Sequence, residues 1–145
     1  MIKIFLPIVC LIVTATYAEK PNWYPNNLDE IAKKCLEENQ LKSDYDKDLK
    51  YHQFEDNTQV HNLFLCKAKG MNIYKEDTGL NVDRLIYAFY KKEMDCMKPS
   101  VQDCVNKYKD LSSAGKMIYK VIYCIVEKED ELSTSDKFNK TDCSF

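Results

Sequence analysis

The sequence predicts an all-α fold, a compact bundle of about six helices stapled by three disulfides. Only 3 glycines and 4 prolines interrupt 145 residues, while the helix formers Lys, Glu and Leu recur throughout. Apolar residues return at helical rather than strand spacing. Six cysteines, Cys35, Cys66, Cys96, Cys104, Cys124 and Cys143, remain once an N-terminal leader is set aside, separated by 30, 29, 7, 19 and 18 residues. Those gaps are too wide for the C-x-x-C pairs that hold zinc. An even cysteine count behind a secretory leader reads as a disulfide framework, and the chain therefore as a binding scaffold.

The leader is residues 1–18: Lys3 supplies the charged end, residues 4–13 the apolar run, and Thr16-Tyr17-Ala18 the small-residue cleavage site. The run is too short to span a bilayer, and no later segment reaches the roughly 20 apolar residues a span requires. Membrane insertion is not expected, and Cys10 departs with the leader. Residues 19–145 then form a single secreted domain. Formal charge is −2, with acids and bases interspersed, so nucleic acid is not expected as a partner.

Residues 19–25 read as an extended lead-in, with Trp23 available to pack on the domain surface. Asn27 caps a first helix over about 28–39, whose apolar stripe is Leu28, Ile31, Ala32, Cys35 and Leu36. The polar stretch 43–56 is expected to hold a short helix near Leu49. Thr58 caps the next helix, which carries Val60, Leu63 and Phe64 and stops at Gly70 as a left-handed terminator. Gly79 closes the turn Glu76-Asp77-Thr78-Gly79. Asn81 caps the clearest helix, where Val82, Leu85, Ile86, Phe89 and Tyr90 share one apolar face. Ser100 and Asp103, just after Pro99, read as the start of a helix bearing Val101, Cys104, Val105 and Tyr108. A last helix over about 113–129 is apolar nearly all round and should sit centrally, before a polar tail over 130–145.

Asp44, Asp46 and Asp48 with Glu55 imitate a calcium loop, but Leu49 stands where its sharp turn requires glycine, so a solvated acidic turn is expected. No metal or cofactor is expected. His52 and His61 neighbour no serine or cysteine in a catalytic arrangement, so the chain is not expected to be an enzyme. A histidine could still act as an acid switch for ligand release. Asn139-Lys140-Thr141 is a glycosylation sequon, with Asn139 the acceptor.

The text Phe64-Leu65-Cys66-Lys67-Ala68-Lys69-Gly70 is followed by Glu76-Asp77-Thr78-Gly79-Leu80-Asn81-Val82-Asp83-Arg84-Leu85. Together with the cysteine spacing it resembles the insect odorant-binding protein superfamily, over about residues 28–127. In that family's register Cys35 takes the first cysteine place, Cys66 the third, Cys104 the fourth and Cys124 the sixth; the second falls on Asn62 and the fifth on Gly115. The two vacant places are the pair that the family joins to each other, which is the pattern of the reduced-cysteine ("minus-C") branch. A tail with a terminal cysteine, and Ser113-Ala114-Gly115-Lys116 ahead of Cys124, are similar to the salivary branch of blood-feeding flies.

The resemblance implies the pairs Cys35–Cys66 and Cys104–Cys124, leaving Cys96 and Cys143 for one another to tie back the tail; the sequence by itself leaves the connectivity open. It also implies an apolar cavity. Phe64, Ile86, Phe89, Tyr90, Ile118, Tyr119, Ile122, Tyr123 and Val126 would line it, with the tyrosines as polar handles. Spacing alone fits a fully packed core equally well. The function implied is reversible carriage of a small hydrophobic, odorant- or pheromone-like ligand in extracellular fluid, with a membrane receptor as a candidate partner. One alternative is a salivary scavenger of biogenic amines or eicosanoids; for amines it needs an inward carboxylate, such as Asp103 or Glu127. The other is a surface-binding protein inhibitor without a cavity. Phe145, near the end of the tail, is a candidate lid.

Overall fold

The computed structural model describes residues 20–45 and 53–133, with side chains as far as Asp130. Along them run α1 (Leu28–Glu38), α2 (Thr58–Gly70), β1 (Tyr74–Lys75), β2 (Gly79–Leu80), α3 (Val82–Tyr90), α4 (Lys98–Tyr108) and α5 (Ala114–Ser133). A 3-10 turn over Asp95–Met97 leads into α4. The described residues thus hold five α-helices where about six were expected for the chain. The leader, the short helix near Leu49 and residues 134–145 lie outside the described residues.

Helix ends follow local chemistry, with four departures from the sequence reading. Asn27 occupies the N-cap position of α1, but its side chain accepts no backbone N–H there. Its backbone is not extended, and its Nδ2 donates instead to Glu30 Oε2 at 3.1 Å. The cap of α2 is Asn57, whose extended backbone lets Oδ1 accept from Val60 N–H at 2.9 Å; Thr58 is already helical. Gly70 ends α2 without a left-handed backbone, which Asn72 adopts instead (φ 58°). Gly70 is needed for closeness: a Cβ there would stand 2.5 Å from Ile31 Cγ2 of α1. α4 opens at Lys98, with Pro99 in the first turn where its missing N–H costs nothing, so Ser100 and Asp103 lie inside it.

Other ends stand where expected, except the C-terminal end of α5. Asn81 Oδ1 accepts from Arg84 N–H at 3.0 Å and caps α3. Gly79, at φ 74°, turns the short antiparallel hairpin in which Tyr74 faces Leu80 and Lys75 faces Gly79. Ser113 Oγ accepts from Lys116 N–H at 3.3 Å ahead of α5. α5 runs to Ser133, a turn past the expected end, because no glycine or proline interrupts its charged last turns.

α5 is the axis of the bundle. It packs most extensively on α2 and next on α4, while α1 lies on α2 and α3 on α4. Ile118, Val121 and Ile125 are among its fully buried side chains. Disulfides Cys35–Cys66 and Cys104–Cys124 tie α1 to α2 and α4 to α5, at Cα separations of 5.6 and 5.7 Å. Each contributes about 3–4 kcal/mol on the loop-entropy estimate. Cys96 is also disulfide-bonded; Cys143 lies outside the described residues.

At the α2–α5 crossing, a Cβ on Gly115 would stand 2.6 Å from the His61 carbonyl oxygen and 2.9 Å from its carbon. A backbone neighbour cannot swing aside, and the Ile31 methyl beside Gly70 is the branch methyl of a helical isoleucine whose χ1 is held in one rotamer. Gly115→Ala and Gly70→Ala should therefore each destabilise the fold by about 1–3 kcal/mol. Urea midpoints of the two variants test this, and unchanged midpoints would refute it.

Candidate functional site

The helical stripes of α1, α2 and α3 do not close fully on one another, and α5 supplies a floor. The space left is a cavity of about 580 Å³, within the range of about 300–1,000 Å³ usual for small-ligand pockets. Ile31 and Ala32 of α1, Leu63, Phe64 and Ala68 of α2, and Leu85, Ala88 and Phe89 of α3 form the walls. Ile118 and Ile122 of α5 line it from below, with Phe54, Met71, Ile73 and Leu80 between helices.

Of the nine side chains expected to line a cavity, Phe64, Phe89, Ile118 and Ile122 do so. Ile86, Tyr90, Tyr119, Tyr123 and Val126 do not. Helical phase explains most of the split. On α3, Leu85, Ala88 and Phe89 share a face, and Ile86 and Tyr90 lie one residue, about 100°, further round. On α5, Ile118 and Ile122 are one turn apart, while Tyr119 and Tyr123 occupy the adjacent stripe. Val126 stands two turns beyond Ile118 and about 80° round from it.

The three tyrosines expected as polar handles do not line this cavity. Tyr119 and Tyr123 both donate to the Phe54 carbonyl oxygen, at 3.0 and 2.7 Å, and so hold Phe54 in the cavity wall. Phe54 also stacks edge-on against Phe64 at 5.3 Å. The Tyr90 hydroxyl is buried and makes no hydrogen bond of ordinary geometry. Burial, then the nearby Glu129 carboxylate, pushes its pKa well above the usual phenol range.

The residues that sequence reasoning missed come mainly from α1, the loops and the edge. The α1 stripe of Leu28, Ile31 and Ala32 was visible, but nothing in its period says that it faces a space rather than a neighbour. At the edge stand Tyr24, Asp29, Lys67 and Lys91. The lead-in bearing Tyr24 is fastened to the bundle through Trp23. Arg84 lies over the Trp23 ring at 5.0 Å, and Asn72 Nδ2 donates to its carbonyl at 2.9 Å. Trp23, Tyr24 and Tyr87 meet edge to face.

Asp103 and Glu127, the carboxylates expected to meet an amine, are both exposed, and neither lines the cavity. Asp103 pairs with Lys128 at 3.5 Å. Their phases on α4 and α5 turn them away from the cavity side. Among the described residues, no group of three or more His, Cys, Asp or Glu could hold a metal, and no helix is long and apolar enough to cross a membrane. His52, Asp46, Asp48, Asn139 and Phe145 lie outside the described residues.

His61 sits behind the cavity wall rather than in it. Its Nε2 is 2.7 Å from Asp56 Oδ1, while Lys120 Nζ reaches Asp56 Oδ2 at 2.6 Å. The Lys120 hydrogen bond, with a smaller one from His61, holds the Asp56 carboxyl below its ordinary range against the opposing effect of burial. A depressed folded-state pKa stabilises the fold above the unfolded value and loses that contribution as pH falls through the folded one. Asp56 is 43% exposed, so solvent screening keeps the effect small. The stability that Asp56→Asn removes should be present above about pH 4 and vanish at lower pH. Unfolding curves of both proteins across that range test it; a difference that persists in acid would refute it.

Removing both hydroxyls, Tyr119→Phe with Tyr123→Phe, strips the Phe54 carbonyl of its two partners and should cost about 1–3 kcal/mol. That loss should exceed the sum of the single changes, because either tyrosine alone still satisfies the oxygen. A double-mutant cycle by urea unfolding reads the coupling, and strict additivity would refute it.

The PBP/GOBP family model matches residues 19–128. No curated protein and no solved structure matches the chain.

Proposed function

The chain belongs to the PBP/GOBP family, the insect odorant-binding proteins, and from that membership we propose that it carries one small hydrophobic, odorant- or pheromone-like ligand through extracellular fluid, binding it reversibly between α1, α2, α3 and α5. The observation that supports this reading is the cavity of about 580 Å³, walled by aliphatic and aromatic side chains. Proteins of this family bind small ligands and are not enzymes.

Binding draws on burial of apolar ligand surface, about 25 cal/mol per Å² before ordering costs. The two disulfides and the Phe54 clasp limit those costs by keeping the walls in place before the ligand arrives. The leader read in residues 1–18 supports export, and a membrane receptor is the partner to which such a carrier would deliver its ligand. Assignment to the reduced-cysteine branch rests on the vacant places at Asn62 and Gly115. The tight fit of Gly115 on the α2 backbone supports it, because a cysteine there would need the crossing to widen.

An apolar fluorescent probe, N-phenylnaphthylamine, should bind the oxidised protein with an emission increase, and long-chain volatiles should displace it. Ala88→Phe places a ring in the cavity wall and should weaken probe binding at least tenfold. Val126→Ala, outside the cavity, should leave it within about twofold. Equal affinities for the two variants, or no uptake by the correctly bridged protein, would refute the assignment.

A further inference from the structure

The cavity is apolar except along one edge, where Tyr24 and Lys91 meet. Lys91 Nζ donates to the Tyr24 hydroxyl and stands 4.9 Å from the centre of its ring. Both side chains line the cavity. An ammonium has only donors, so in this pair the phenol oxygen must accept, and its own proton is left to be donated elsewhere. Among the described residues the Tyr24 hydroxyl has no other hydrogen-bond partner, and Lys91 has no carboxylate partner. The edge therefore offers two donors, one of them charged, and no acceptor between them.

The pair is held in place from both sides. Tyr24 is only 6% exposed; its N–H donates to Pro21 O at 3.0 Å, and its ring packs edge-on against Tyr87 at 5.2 Å. Lys91 takes a left-handed backbone (φ 57°) at the end of α3, with its N–H donating to Tyr87 O at 2.8 Å. Tyr87 thus holds one residue by its ring and the other by its carbonyl. The one carboxylate that lines the cavity, Asp29, is exposed in the first turn of α1, where the helix N-terminus offsets its charge.

We propose that the ligand is a long-chain carboxylic acid, bound as its carboxylate. The head accepts hydrogen bonds from the Tyr24 hydroxyl and the Lys91 ammonium, and the chain runs inward over Ile118 and Ile122. This assignment rests on the carrier reading and adds to it the chemistry of the head group. An ester or alcohol of the same chain fills the cavity equally but brings no charge to the edge. An alkylamine brings the wrong one.

The test is displacement of N-phenylnaphthylamine from the oxidised protein, at neutral pH and low salt, by palmitic acid, its methyl ester, the matching alcohol and the matching amine. The acid should outcompete the ester and the alcohol by about tenfold, the return on a charge-assisted hydrogen bond, and that advantage should shrink as salt is raised. Lys91→Met and Tyr24→Phe should each cut the ratio of acid to ester affinity severalfold. Lys109→Met, an exposed lysine that does not line the cavity, should preserve the ratio. Lys91→Gln gives the same reading if Lys91→Met fails to fold by circular dichroism. Equal displacement by acid and ester, or preference for the amine, would overturn the head-group assignment while leaving the carrier reading intact. Absence of binding of both the probe and the acid, checked by calorimetry, would overturn both.

Discussion

At residue 115 any side chain would strike the His61 carbonyl, 2.6 Å from where its Cβ would stand, and the near-contact of α5 with α2 sets the geometry around it. One turn further along, α5 brings Ile118 and Ile122 into the cavity lined by Phe64. The same approach places Tyr119 and Tyr123 beneath the Phe54 carbonyl and Lys120 beside Asp56. Had the two helices been spaced by a side chain, these hydroxyls would have to reach further to the one carbonyl they share. A single glycine thus connects the packing of the bundle to the wall of its cavity.

The disulfides act on either side of that crossing. Cys35–Cys66 fastens α1 to α2, and Cys104–Cys124 fastens α4 to α5. Neither bridge spans α2 and α5 themselves. That pair is joined by burial of apolar surface and by the Asp56 contacts with His61 and Lys120. Cavity volume is therefore governed by close packing, which responds to changes of a single methyl group.

Over the cavity edge, the lead-in is held by aromatic and cationic contacts rather than by regular secondary structure. Each edge-to-face ring pair contributes about 0.5–1.5 kcal/mol beyond burial, and each exposed cation–π contact about 0.5–1 kcal/mol. Trp23, Tyr24, Tyr87, Arg84 and Lys91 together form a small network that gives a short segment a defined place. It is also where the polar groups of the cavity edge gather. Order in the lead-in and chemistry at the mouth come from the same side chains.

Local signals in the chain determined the helical class, the approximate extent of the helices, the Gly79 turn and the Asn81 cap, because each depends on residues within a few positions of one another. The cysteine register, through family resemblance, determined the partners of Cys35 and Cys104. Which apolar residue faces space and which faces a neighbour was not legible, since Ile118 and Tyr119 are equally apolar in pattern and differ only by the rotation of α5 against α2. The choice of Asn57 over Thr58 as a cap turned on a single backbone dihedral, and the role of Gly70 on the proximity of Ile31. Tyr24 and Lys91 lie 67 residues apart, and no periodicity links them. Tertiary structure alone made them neighbours, because the lead-in folds back over the end of α3.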